Sequence, residues 1–170
     1  MRPFFLFALL LALAACDTAE TNPPDPVYDP PTPIDQSTLV TDTTEAGLAQ
    51  RRAQWSAEGP RDYRFEVYRL CTCLENRVRY VVTVRGGQAR EATRTTPHDS
   101  ATVAVAPGAV PYPTIGALFD AAQDGFDQDA DEVEVGYRDS DGLPARVFVD
   151  PMAGRTDDEL HLFVAGFDAL

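Results

Sequence analysis

The residues with the sharpest chemistry are two cysteines one position apart, Cys71 and Cys73. They end a stretch in which Tyr63, Phe65 and Val67 alternate with Arg64, Glu66 and Tyr68. A period of two marks a strand with one buried face, and continuing it puts both thiols on the face of the aromatic residues. Soft sulfur ligands suit zinc, copper or thiol redox chemistry. His98 and His161 would complete a set of two cysteines and two histidines, and Met152 offers a thioether for copper. The spacing argues against a dedicated centre, because structural zinc ligands come as close pairs and these histidines stand alone. A thiol-redox or copper/zinc module using Cys71, Cys73, His98 and His161 is the alternative reading, and no cofactor is expected.

Other catalytic constellations are missing from the sequence. Beyond Ser37 the serines are Ser56, Ser100 and Ser140, none in a G-x-S-x-G setting, and no phosphate or dinucleotide glycine loop occurs. Asp127, Asp129 and Asp131 have the spacing that opens a calcium loop, but Glu132 replaces the glycine of its turn and Arg138 the bidentate glutamate. An acidic turn is expected there. Carboxylates are too plentiful to single out a glycosidase pair. The chain reads as a non-enzyme.

Asp and Glu total 27 against 14 basic residues, all of them arginine, for a net charge of −13. Such a surface repels phosphate backbones, so nucleic acid is not an expected partner. With 170 residues, 44% hydrophobic and 24% charged, the chain suits one globular domain plus some extra material, and a monomer is expected.

That extra material is N-terminal. Arg2, the apolar run from Phe4 to Leu13 and the small residues before Cys16 have the layout of a signal peptide, too short to span a bilayer. Leu13-Ala14-Ala15-Cys16 resembles the bacterial lipobox, which implies lipidation of Cys16 and removal of residues 1–15. A lipoprotein facing the periplasm or cell exterior is then expected, anchored through its N-terminal lipid. Asp17 resembles an inner-membrane retention signal, which leaves the choice of membrane open. Residues 16–41, rich in Pro and Asp from Pro23 to Asp35, read as a polyproline-type tether. With Cys16 taken by lipid, Cys71 and Cys73 are the remaining thiols, and export to an oxidising compartment favours a disulfide between them.

From about residue 42 the pattern becomes that of a folded domain, 42–170. Asp42 and Glu45 suggest a capped helix carrying Leu48, Arg52 and Trp55 and stopped by Gly59-Pro60. Strands are expected at 63–73, at Val78 to Val84, and after Gly86-Gly87 at Gln88 to Thr95. A loop follows, with room for a short strand near Thr102. Ile115, Leu118, Phe119, Ala122 and Phe126 then share one helix face after Thr114. The last strands are centred on Val135, Val147 and Leu162, with a turn at Asp139-Ser140-Asp141-Gly142. The expected fold is α+β, antiparallel sheet(s) with two helices in the order α-βββ-α-βββ, with a hint of duplication.

These elements resemble a family of uncharacterised bacterial envelope lipoproteins, a domain of unknown function. The matching features are Arg52 to Gly59 with its tryptophan, Asp62-Tyr63-Arg64-Phe65, Cys71-x-Cys73, Val82-x-Val84-x-x-Gly87, Pro113-Thr114-Ile115 with Leu118-Phe119, and Gly142-Leu143-Pro144 ahead of Asp150. The layout also looks loosely like small envelope modules of the PepSY or protease-inhibitor kind. The resemblance implies no catalytic residues. A lipid-anchored, non-catalytic binding or inhibitor-like domain with an envelope protein partner is the function to expect.

Overall fold

The computed structural model describes residues 28–72, 76–98, 100–155 and 158–170. The elements in chain order are β1 (Val40–Asp42), α1 (Glu45–Glu58), β2 (Tyr63–Leu70), β3 (Arg79–Arg85), β4 (Gln88–Thr95), β5 (Thr102–Val105), α2 (Ile115–Asp127), β6 (Glu132–Tyr137), β7 (Pro144–Asp150) and β8 (Leu160–Ala169). Among the described residues eight strands form one sheet in the order β1-β6-β7-β8-β2-β3-β4-β5. Each neighbouring pair is antiparallel. Two meanders, β2 to β5 and β6 to β8, are thus joined where β8 pairs with β2. Among the described residues no helix is long and apolar enough to cross a membrane.

The expected order α-βββ-α-βββ does not hold: the described elements run β-α-ββββ-α-βββ in a single, mainly β architecture. The two additional strands are the sheet's edges, β1 with three residues and β5 with four. Segments so short carry little periodicity, and backbone pairing with a neighbour sustains them instead. Their presence gives the halves different strand counts, which weakens the hint of duplication.

One face of the sheet carries the helices. Tyr63, Phe65, Val67, Val82, Val84, Val135, Val147, Leu162 and Val164 are at most 4% exposed and merge into one core with Leu48 of α1 and Ile115, Leu118, Phe119 and Ala122 of α2. Each large side chain so buried contributes about 1.5–3 kcal/mol of transfer free energy. Trp55 anchors α1 edge-on against Tyr63 and Phe167, with ring centroids at 5.7 and 5.8 Å.

Both helix starts are capped by threonine. Thr44, not Asp42, caps α1, accepting the Gly47 N–H at 3.0 Å, while Asp42 accepts the Thr44 N–H at 2.8 Å and so fixes the cap. Thr114 accepts the Ala117 N–H at 3.2 Å, and the buried Tyr63 hydroxyl accepts the Ile115 N–H at 3.1 Å. A strand side chain therefore satisfies a helix donor that the helix itself leaves orphaned.

The stretch expected to be free tether is in part docked. Ile34 donates its N–H to Ala165 O at 2.9 Å, Thr32 O accepts the Phe167 N–H at 2.8 Å, and Pro33 bridges Gly166. The chain then reaches β1 through a single 3-10 turn over Gln36–Thr38. A register shift in β8 against β2 leaves Ala165 unpaired with β2, where its carbonyl meets this segment. The domain's own contacts therefore begin by Tyr28, not near residue 42.

Candidate functional site

The chemistry-bearing residues of the sequence gather at one end of the sheet without converging. Cys71 follows β2 directly, and its N–H bonds to Asn76 Oδ1 at 3.2 Å. Cys73 and Cys16 lie outside the described residues, as does the whole expected signal peptide. His161 on β8 is the pairing partner of Leu70, one residue before Cys71. Its ring packs on Phe148 with centroids 4.5 Å apart, and Nε2 is 3.1 Å from the Glu159 carboxylate. His98 is exposed in the turn between β4 and β5, three strand positions from β8 and so about 14 Å away across the sheet. The histidines expected to complete a metal set are thus held apart. Met152 is 51% exposed in the turn after β7. Among the described residues no three His, Cys, Asp or Glu side chains group to hold a metal.

A different site appears on the sheet face away from the helices. Glu66 of β2 points there and is only 2% exposed, the one charged residue buried among the described residues. Its carboxylate accepts the Tyr28 O–H at 2.7 Å and pairs with the Arg79 guanidinium. Arg79 in turn lies 4.8 Å over the Tyr68 ring, which stacks on Phe163 at 5.2 Å. A buried carboxylate persists where it is paired and hydrogen-bonded, and Tyr28 supplies the second bond. Burial, and then the adjacent Glu66 carboxylate, push the Tyr28 phenol up to about 12.

Tyr28 opens a strap that crosses this face. Asp29 pairs with Arg64 of β2 at 2.9 Å, and Thr32 donates to Asp168 of β8 from both N–H and hydroxyl. Gln36 donates to Val164 O at 3.0 Å. The fit depends on Gly166, where a Cβ atom would stand 2.7 Å from Pro31 O.

Beside the strap, over β2 to β5, the same face is concave and open. The groove has a volume of about 500 Å³ and is lined by Arg64, Val81, Thr83, Arg85, Glu91, Thr93 and Ala104, among others. Arg64 belongs to both features, holding the strap and walling the groove. Arg85 pairs with Asp62 at 3.5 Å with both side chains nearly half exposed, an arrangement of little net strength in water. Residues 61–94 carry eight of the 14 arginines against four acidic residues in a chain of net charge −13, and two of these arginines, Arg64 and Arg85, line the groove with Glu91. Smaller clefts lie under Pro111 and Tyr112, about 70 Å³, and beside the end of α2, about 270 Å³.

A mainly β domain whose single sheet has helices on one face and a strapped, grooved surface on the other is a scaffold with an open side. The chain belongs to the Family of unknown function (DUF6174), whose model matches residues 47–169. No curated protein and no solved structure matches it. The strap precedes the matched region.

The strap and groove were not legible as a site. Arg64, Arg85 and Glu91 sit on three strands, and their meeting follows from register: Arg64 pairs with Thr83, two residues from Arg85, and Thr83 pairs with Glu91. The concentration of arginine between 61 and 94 is the one signal in the sequence that points to this region.

Proposed function

We propose that this protein is a non-catalytic binding module of the cell envelope, held at a membrane by lipid on Cys16, which presents the open sheet face to a protein partner. The observation that carries the reading is the groove of about 500 Å³ over β2 to β5, polar-walled and accessible, on a face the helices leave uncovered. Recognition sites are concave surfaces with a few placed polar groups, and Arg64, Arg85, Glu91, Thr83 and Thr93 supply them. The signal-like N-terminus and lipobox-like Leu13 to Cys16 support the anchoring. In this reading Cys71 and Cys73 form a local disulfide that shapes the end of β2.

Site-specific photo-cross-linking in intact cells tests the binding surface. A cross-linker at Thr93 or Thr83 should give one discrete adduct, the same from both positions, and a cross-linker at Asp124 on α2 should not give it. Absence of any adduct from the groove, or the same adduct from Asp124, would remove the reading.

A further inference from the structure

The chain's own strap shows what kind of ligand this face accepts. Asp29-Pro30-Pro31-Thr32-Pro33 crosses β2 and β8, with a carboxylate on Arg64 at 2.9 Å and backbone carbonyls of Pro31 and Thr32 close against Gly166. Thr32 to Ile34 pair with the edge of β8 beyond β7, and the part before them, whose prolines lack the N–H needed for a ladder, turns over the face onto β2, with a fixed φ that lowers the entropy lost on binding.

We propose that the groove binds an extended, acidic, proline-containing segment of a partner protein, held by Arg85 as Arg64 holds Asp29. The proposal rests on the reading of the open face as the binding surface. Arg85 lies two residues beyond the partner of Arg64 on the neighbouring strand, so its guanidinium stands on the groove wall beside the one that Asp29 occupies. The exposed pair of Arg85 with Asp62 at 3.5 Å exchanges readily for an incoming carboxylate. Val81, Ala104 and the methyl-bearing Thr83 and Thr93 line a floor of small side chains that suits proline rings. Glu91 on β4 repels carboxylates from the far wall and so fixes which edge of the ligand carries the acid. The net charge of −13 disfavours the same ligand elsewhere on the surface.

The probe is a fluorescent 12-residue peptide with the sequence of residues 22–33, titrated by anisotropy against the full-length protein in detergent. Saturable binding is expected, weakened about fivefold by Arg85→Gln, strengthened by Glu91→Gln, and lost when both aspartates of the peptide become asparagine. No saturable binding, or binding indifferent to Arg85→Gln, overturns the proposal. So does probe binding that appears only in a chain lacking residues 17–27, which would show the chain's own leader filling the groove. Arg85-dependent binding to vesicles containing phosphatidylglycerol, without peptide binding, would reassign the wall to lipid headgroups. A groove cross-link from Thr93 together with no peptide binding would refute this ligand class and leave the binding-module reading standing.

Discussion

Replacing Tyr28 by Phe removes one hydroxyl and tests whether the strap is part of the folded domain. The lost bond is a phenol donating at 2.7 Å to a carboxylate that is 2% exposed. Hydrogen bonds to charged groups contribute about 1.5–3 kcal/mol net, and Tyr28 itself is 36% exposed, so water replaces part of what is lost. A destabilisation of about 1–2 kcal/mol is expected at pH 7, which in a domain of this size lowers Tm by roughly 3–8 °C. The alkaline limb gives a second readout. Burial and the Glu66 carboxylate push the folded Tyr28 phenol up to about 12 from its ordinary 10.0. Above pH 10 the unfolded chain therefore releases this proton before the folded one does, and the bond's contribution, whole below pH 10, falls as pH rises towards 12. Tyr63 and Tyr137 are also pushed up by burial and act in the same direction, so the comparison is between the variant and the parent. Tyr28→Phe should show the shallower alkaline loss. Thermal melts from pH 7 to 11.5 measure both effects; a Tm within about 1 °C of the parent at pH 7, with superimposable alkaline limbs, would refute the claim that the strap shields Glu66.

Three further outcomes are expected. Tyr63→Phe strands the buried Ile115 N–H at the start of α2 and should cost about 1–3 kcal/mol in urea unfolding, far more than an exposed Tyr→Phe change. Cys16→Ser should abolish lipid labelling and leave an uncleaved N-terminus; continued labelling ends the lipoprotein reading. Intact mass of thiol-blocked, unreduced protein should show neither Cys71 nor Cys73 alkylated, and two alkylated thiols would rule out their disulfide.

What the sequence disclosed follows from where side chains decide structure. The face of α2 is written in Ile115, Leu118, Phe119 and Ala122, all at most 1% exposed, and Gly86-Gly87 adopts positive φ at both positions as a two-residue hairpin demands. Trp55 was legible as an anchor because little else in α1 is apolar and large. The strap was not, since Pro and Asp composition speaks for an extended spacer while its docking uses backbone groups of β8. The last strand runs on to Ala169 although Ala165 and Gly166 interrupt its alternation, because β2 and the strap pair with it from both sides. The groove was hidden for a related reason: side chains from three strands meet only once register is known.

Gly166 offers the cleanest way to separate the strap from the rest of the fold. Its position is closed from above, with Pro31 O at 2.7 Å, and Pro31 C and Thr32 O both at 3.1 Å, from where a Cβ would sit. All three are backbone atoms of the strap, so Gly166→Ala must lift that segment or push β8, and overpacking of this kind costs about 1–3 kcal/mol. Lifting is the easier response, because β8 is fixed by β2 on one side and, up to Phe163, by β7 on the other. The consequence reaches the anchor. If lipid sits on Cys16, residues 17–27 link it to the strap, and a chain of that length spans at most about 40 Å. The N-terminal end of the strap lies on β2 beside Arg64, so the groove stands next to it. Releasing the strap would free the Ile34 and Phe167 amides, now bonded at 2.9 and 2.8 Å. Hydrogen exchange should therefore quicken at Ile34 and Phe167 in Gly166→Ala, while Val82 and Val147 in the central strands keep the parent's protection. Unchanged exchange at Ile34, or equal acceleration in all four, would show that the strap is not a separable layer on this sheet.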